Sequence, residues 1–515
     1  MILIKKKFHL IILLITLVFV FFKVYSFHFG YNYPMHIDEY HHIAQSIQII
    51  EEKGFVSTNP YFKEPLLHNN LEPGFHIILS ELFLMTGIDP IRHYGFLPAL
   101  FMCFSALMLF VLVKNITKNF WAGIFSMLFF ASLKSSVNIL GINFFTPLTA
   151  CIPLIYLFVL VLIEAITKGD TKKLFLSFIF SSVLLITYPL FGTLILPMVL
   201  LYLLFNISVL KGFYFKAKDS FEIEKMSNNR VSYIKFILLG MGITSIVLFS
   251  FYYFIKYIHI HGDIRSIFEL LVFREGWGKV EIKYFLPYLY GIIPTIFAMI
   301  GVVYSLKTKK HLIFVLFSFV TIGLVALFHK FKFSILSPYQ RTLYFSMIFL
   351  VPLSAIGMMQ LIDYLKKRDI TLISRRSKDP LIAIFIIILF IVTFSSTYSL
   401  VDERKRYKND IIDSYDYDSI KWIQKNYGTK NVVIAPLFTS STVYPISRNY
   451  VISILPGQLT GNINASTDFF RLGCEEKKKI ANQTKANIVL SKARIECDFL
   501  EEVYNKRNFI YEVMI

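Results

Sequence analysis

Two adjacent acids, Asp38 and Glu39, stand in the run Met35-His36-Ile37-Asp38-Glu39-Tyr40-His41-His42. A carboxylate at a membrane face, partly withdrawn from water, has its pKa raised toward neutrality and can take a proton as a general base. Asp is also a favoured residue for opening a helix, and Glu for its first turn, so capping of the helix that follows is the competing reading. Neighbours on a helix point in different directions, so the two acids are not expected to share one role. His42 lies one turn beyond Asp38. Asp38, Glu39 and His42 are therefore the candidate ligands should the chain use a divalent cation, although histidines on a helix surface are more often simply solvated. No cofactor is otherwise indicated.

A base suits transfer of a group from a phosphate, and the phosphate that departs needs cations, because its charge grows in the transition state. Arg341, in Pro338-Tyr339-Gln340-Arg341, is the first candidate, since its planar donors bind two oxygens at once. Lys330 and Lys332 follow, interleaved with rings in His329-Lys330-Phe331-Lys332-Phe333, and then Arg274. The plainer reading of each is a cation snorkelling at the end of a membrane span. Glu72 and His76, in Leu71-Glu72-Pro73-Gly74-Phe75-His76, read as helix-start residues or as substrate-binding groups. A Walker phosphate loop, a strand-linked GxGxxG, an HExxH and a CxxC pair are all missing from the sequence, so nucleotide hydrolysis, dinucleotide chemistry and a zincin site are unsupported.

The elements that position these residues are set by lipid. Of 515 residues, 55% are hydrophobic and 17% charged, and the mean hydropathy is +0.59, which excludes a chain of soluble domains. About 20 apolar residues cross a bilayer. Eleven such stretches are predicted, at 8–25, 95–113, 120–137, 146–165, 173–188, 191–210, 233–257, 284–306, 311–329, 340–362 and 380–400. The two in the middle of the run 173–210 are parted by the turn signal Tyr188-Pro189-Leu190-Phe191-Gly192.

With the N-terminus in the cytoplasm, the inner segments carry a net charge of +15, out of +19 for the whole chain. The basicity is thus membrane topology, with no face left over for nucleic acid. An odd number of spans puts the tail outside. The fold predicted is an α-helical polytopic membrane protein of about eleven transmembrane helices, multi-pass in the cell membrane, with a small extracytoplasmic C-terminal α/β domain. Residues 1–400 form the membrane domain, with long outer loops at 26–94 and 258–283; residues 401–515 form the tail domain.

Within the first loop, Ile43, Ile47 and Ile50 recur at helical spacing after Asp38, and Phe75, Ile78, Leu79, Leu82 and Phe83 do so after Pro73-Gly74. Two amphipathic helices on the membrane surface are expected. The tail is expected to hold a helix at 418–427 and strands at 432–435, 450–454 and 488–490. Cys474 and Cys497 could pair in an oxidising exterior, though their separation says nothing about geometry.

The ordered set Asp38-Glu39-Tyr40-His41-His42-Ile43-Ala44-Gln45, Gly54, Lys63-Glu64-Pro65-Leu66, Leu71-Glu72-Pro73-Gly74-Phe75-His76, Arg92 and Pro98-Ala99-Leu100 resembles the first outer loop and second span of GT-C glycosyltransferases. The branch it most resembles holds the protein O-mannosyltransferases and the lipid A aminoarabinose transferases, integral enzymes that take sugars from polyprenyl phosphates. The resemblance implies that Asp38 or Glu39 acts as base or orients the acceptor and any metal. It implies an inverting transferase that moves a sugar from a polyprenyl-phosphate (dolichyl-phosphate-type) donor to a glycan, lipid or protein acceptor on the outer face. Two departures stand out: residues 138–146 carry no acid where many relatives have one, which counts against a metal, and WWDYG, the mark of en bloc oligosaccharide transfer, is absent. A polytopic transporter or lipid flippase is the alternative from another class, and a surface protein merely held by its spans is a third.

Overall fold

The computed structural model describes residues 2–54, 58–63, 72–135, 139–168, 170–205, 272–273, 289–367, 384–394, 411–455 and 463–514. They divide into two compact units: 1–27, 98–143 and 147–407 in the first, and 28–97, 144–146 and 408–515 in the second.

The first unit is built of helices: α1 (Ile2–Tyr25), α4 (Phe96–Thr117), α5 (Phe120–Ala131), α6 (Pro147–Lys168), α7 (Thr171–Thr187), α8 (Pro189–Phe205), α9 (Ile292–Thr308), α10 (Leu312–Phe331), α11 (Tyr339–Lys367) and α12 (Ile384–Phe394). α2 (Ile37–Glu52) and α3 (Pro73–Thr86) belong to the second unit. Ten of the eleven predicted stretches coincide with these helices; the remaining one, 233–257, lies outside the described residues. Among the described residues five helices have the length and apolarity needed to cross a membrane: Lys7–His28, Phe96–Thr117, Pro147–Lys168, Leu312–Phe331 and Tyr339–Lys367. The chain turns between α7 and α8 at Tyr188, where the missing amide hydrogen and fixed φ of Pro189 suit the first position of a new helix.

α11 is 29 residues long and buried along most of its length. It crosses α9 with backbones almost in contact. A Cβ on Gly301 would lie 2.0 Å from the Leu353 carbonyl oxygen, and one on Gly357 would lie 2.0 Å from that of Phe297. Small residues permit this approach, the usual way helices gain dispersion energy where lipid removes the hydrophobic drive. Ser354 fastens the same crossing, its hydroxyl donating to the Pro294 carbonyl at 2.9 Å. A short antiparallel pair, β1 (Val272–Phe273) with β2 (Ser334–Ile335), brings part of the second long loop beside the chain that leads into α11.

The second unit joins the first outer loop to the tail. In the loop, α2 (Ile37–Glu52) and α3 (Pro73–Thr86) appear where the apolar spacing placed them. Their inward residues are buried: Ile43 and Ile47 on α2, and Phe75, Leu79 and Phe83 on α3. Ile77, Ile78, Leu84 and Met85 of α3 stay exposed.

The tail folds as α13 (Ser414–Tyr427), β3 (Val432–Ile434), α14 (Leu437–Ser447), β4 (Tyr450–Val451), α15 (Ile463–Arg471), α16 (Cys474–Thr484), β5 (Ile488–Ser491), β6 (Leu500–Asn505) and β7 (Phe509–Val513). The strands make one mixed sheet in the order β4-β3-β5-β7-β6, with β3 parallel to β4 and β5 and the last pair antiparallel. The sequence pointed to the helix and to β3, β4 and β5, but not to β6 and β7. Cys474 and Cys497 form a disulfide with Cα atoms 5.5 Å apart.

Loop and tail are fastened by specific bonds. Tyr61 Oη donates to the Ser441 carbonyl at 2.9 Å, the Val451 amide donates to the Tyr61 carbonyl at 2.8 Å, and Glu51 pairs with Arg448 at 2.7 Å. The described residues of the stretch 28–97 thus fold with the tail rather than as a free-standing loop.

Candidate active site

The start of α2 shows which acid does what. Its N-cap is His36, whose Nδ1 accepts the Asp38 amide at 3.1 Å. The reciprocal half of the capping box comes from Glu39: Oε2 accepts the amides of His36 at 3.0 Å and Met35 at 2.8 Å. Capping therefore falls to His36 and Glu39, not to Asp38. The Asp38 side chain is 45% exposed, with Oδ2 3.6 Å from His36 Nδ1.

Glu39 is fully buried and reaches further. Its Oε1 accepts the amide of Phe145 at 2.8 Å, so one carboxyl holds three backbone donors from two distant parts of the chain. Burial pushes its pKa up to about 8, against the opposite influence of the Phe145, Met35 and His36 amides. The other polar group of Phe145 is held as well: Tyr94 Oη donates to its carbonyl at 2.6 Å. The Phe145 ring packs against Phe75 of α3 at 5.4 Å between centroids, and Phe144 meets the His36 ring at 5.9 Å. The acid-free segment 144–146 is thereby clamped on the helix that carries Asp38.

Behind the acids, α2 and α3 are locked by histidines. His42 Nδ1 and His76 Nε2 lie 2.9 Å apart in a hydrogen bond, and the His42 ring stands edge-on to Phe75 at 5.1 Å. His76 is buried, so its place is in the packing between the two helices. Ser80 repeats the linkage one turn on, donating to the Ser46 carbonyl at 2.8 Å. Glu72 is the N-cap residue of α3 and makes no side-chain capping bond, while Pro73 takes the first helical position. His41 packs edge-on against Tyr61 at 5.3 Å.

These surroundings decide how well Asp38, Glu39 and His42 fit a metal ion. Both Glu39 oxygens accept backbone amides and His42 Nδ1 is engaged by His76, and among the described residues no three His, Cys, Asp or Glu side chains gather as a metal cluster. The expected ligand set is not assembled among the described residues.

The expected cations lie in the first unit. Arg341 sits in the first turn of α11, 6% exposed, and its Nη1 donates to the Ile139 carbonyl at 2.5 Å. Lys330 and Lys332 close the C-terminal end of α10 and are exposed; Lys330 Nζ stands 5.4 Å from the Phe331 ring centre, a cation–π contact. Arg274 lies outside the described residues, as does most of the loop 258–283. Tyr94 and Phe145 were not foreseen; neither stands in a motif, and only the fold brings them to Glu39.

No family model matches the sequence and no curated protein does. Solved structures do match its fold. The Archaeoglobus fulgidus oligosaccharyltransferase in the apo form aligns over 95% of this chain and 70% of its own, with a TM-score of 0.62 at 14% identity. AglB from the same organism, in complex with an inhibitory peptide and a dolichol-phosphate, aligns over 95% and 70%, with a TM-score of 0.57 at 13% identity. ArnT from Cupriavidus metallidurans, bound to undecaprenyl phosphate, aligns over 98% of this chain and 97% of its own, with a TM-score of 0.58 at 11% identity. These neighbours are GT-C superfamily membrane glycosyltransferases, and this chain has their polytopic membrane fold.

Proposed function

We propose that the chain is an inverting glycosyltransferase that moves a sugar from a polyprenyl-phosphate donor to an acceptor on the outer face of the membrane. The observation that carries this reading is the division of labour at the start of α2. Glu39 is buried and holds three backbone amides, while the Asp38 side chain beside it is half-exposed. Asp38 is the general base, and Glu39 is a positioning residue that sets the helix start and segment 144–146.

In the step itself, an acceptor oxygen attacks the anomeric carbon and its proton passes to the Asp38 carboxylate. The bond from that carbon to the phosphate oxygen breaks, and its electron pair leaves with the polyprenyl phosphate. A single displacement of this kind inverts the anomeric centre. Arg341 is the cation assigned to the leaving phosphate, with Lys330, Lys332 and Arg274 as further candidates.

Several features support the finer points. Alignment with nearly the whole of ArnT, a structure holding undecaprenyl phosphate, supports a lipid-phosphate donor. The absence of WWDYG supports transfer of a sugar rather than of a whole oligosaccharide. The charge asymmetry of the loops and the Cys474–Cys497 disulfide support an extracytoplasmic tail in a chain that crosses the membrane eleven times.

The test is incubation of the purified protein with a panel of polyprenyl-phosphate sugars and an acceptor pool, measuring released polyprenyl phosphate. Release that disappears in Asp38→Asn is expected. Uptake of a substrate into sealed vesicles without chemical change would replace this reading with the transporter.

A further inference from the structure

A cavity of about 560 Å³ opens in the tail, remote in sequence from Asp38. It lies where β3 and β5 end. Pro436 and Leu437 follow β3, Ser491 ends β5 and Lys492 follows it, and the two strands are parallel neighbours. The chain leaves β3 through α14 to reach β4 on one side, then returns past β3 through α15 and α16 to β5 on the other. A reversal of this kind opens a crevice at the carboxyl ends of the strands, the position where open α/β sheets take ligands.

The lining is cationic. Arg471, Lys477, Lys492 and Arg494 line it, with Glu496 the one acid among the lining residues. Part of this charge is already committed: Lys492 Nζ is 3.0 Å from Asp416, Arg494 Nε donates to Glu502 at 3.1 Å, and Lys477 donates to the Leu472 carbonyl. Arg471 is exposed and makes no ion pair among the described residues.

Two eleven-residue helices also begin at the cavity. Pro436 and Gly473 are the N-cap residues of α14 and α16, and neither supplies a side-chain cap. The positive ends of both helices therefore add to the four side chains. Glu475 and Glu476 stand in the first turn of α16 and do not line the cavity, but Glu476 Oε2 lies 3.2 Å from where a Cβ on Gly473 would be and offsets part of that helix end. Phe470 and Leu437 give it an apolar wall, and the Cys474–Cys497 disulfide ties the start of α16 to the segment after β5, so two walls are covalently joined.

We infer that this cavity binds a phosphate- or carboxylate-bearing ligand of the size of one or two sugar rings. Its volume falls in the range of small-molecule sites, about 300–1,000 Å³. The cations and helix ends take the anionic group, and Phe470 offers a face to a ring. The source is either a free sugar phosphate or the acidic sugar of a larger glycan; the chemistry recognised is the same, and the site does not depend on the transferase reading.

The experiment is calorimetric titration of the full-length protein in detergent with glucose 1-phosphate, a glucuronate-containing disaccharide and, as the uncharged counterpart, maltose. Saturable binding of at least one charged ligand is expected, with inorganic phosphate competing and maltose silent. Tighter binding of glucose 1-phosphate points to the free phosphate, and tighter binding of the disaccharide to the acidic glycan. The double variant Arg471→Gln with Lys477→Gln is expected to weaken binding at least tenfold with an unchanged thermal midpoint. No binding of either charged ligand, equal binding of maltose, or full affinity in a folded double variant would each overturn the inference.

Discussion

The amide of Phe145 donates to Glu39 Oε1 at 2.8 Å across 106 positions of sequence. One carboxyl thus caps its own helix and fixes a segment from the loop before α6, which separates the two acids of the pair into a base and its support.

Replacing each acid distinguishes these roles. Asp38→Asn removes the proton acceptor while keeping the shape of the side chain, so turnover is expected to fall about 10²–10⁴-fold, the usual worth of a general base, with the thermal unfolding midpoint moved far less than in Glu39→Ala. Glu39→Ala strands three amides that the carboxyl accepts. Stranding the buried Phe145 amide costs about 1–3 kcal/mol and the part-buried Met35 and His36 amides add less, so the midpoint is expected to drop along with turnover. Parallel unfolding curves and polyprenyl phosphate release check both; a stable Glu39→Ala protein would refute the clamp.

The clamp also gives stability a pH dependence. Burial raises the Glu39 pKa from 4.5 to about 8, so the folded protein holds this proton more tightly than the unfolded chain does. The resulting stabilisation is complete below pH 4.5 and is lost as pH rises through about 8. Unfolding midpoints measured across that window are expected to fall with rising pH, and the fall is expected to be shallower in Glu39→Gln, which cannot ionise. An equal slope in the two proteins would show that other groups control it.

Arg341 offers a test of charge against geometry. Arg341→Lys keeps the cation and loses the planar fork, and kcat/KM is expected to fall about 10²–10³-fold, as for loss of one oxyanion donor. Lys330→Ala and Lys332→Ala, at the exposed end of α10, are expected to change it far less. Steady-state rates against donor concentration distinguish these cases; equal losses at all three positions would reassign the phosphate site.

In the membrane unit the test is steric. A methyl on Gly357 meets the Phe297 carbonyl oxygen at 2.0 Å, so Gly357→Ala must part α9 from α11. Overpacking of this kind costs about 1–3 kcal/mol. A lower thermal midpoint in detergent is expected, while Gly323→Ala, with nothing within 4 Å of its Cβ, is expected to leave the midpoint unchanged.

What could be read in the sequence follows from which interactions leave a residue-type signature. Apolar runs mark helices in lipid, Tyr188-Pro189 marks a break, and the isoleucines after Asp38 and the apolar set after Pro73 mark α2 and α3, because each depends on local spacing. The Phe145 clamp leaves no such mark, since every residue but proline supplies a backbone N–H and the choice of Phe145 belongs to the fold. The bond between His42 and His76 joins positions 34 apart, and neither residue type announces a partner. His36 takes the N-cap that Asp38 seemed made for, because a ring nitrogen serves as acceptor as well as a carboxylate oxygen does. β6 went unseen because Glu501-Glu502 interrupts its alternation.

The bond from Tyr61 to Ser441 spans 380 positions, and it has a temporal meaning. A ribosome finishes the stretch 28–97 long before it makes the strand and helix against which that stretch settles. During the interval the early segment lacks Ser441, Arg448 and Val451, the partners that Tyr61 and Glu51 hold in the finished chain. Shortening the chain from its C-terminal end would therefore not yield a smaller version of the same protein; it would take from the segment carrying Asp38 the partners of Tyr61 and Glu51.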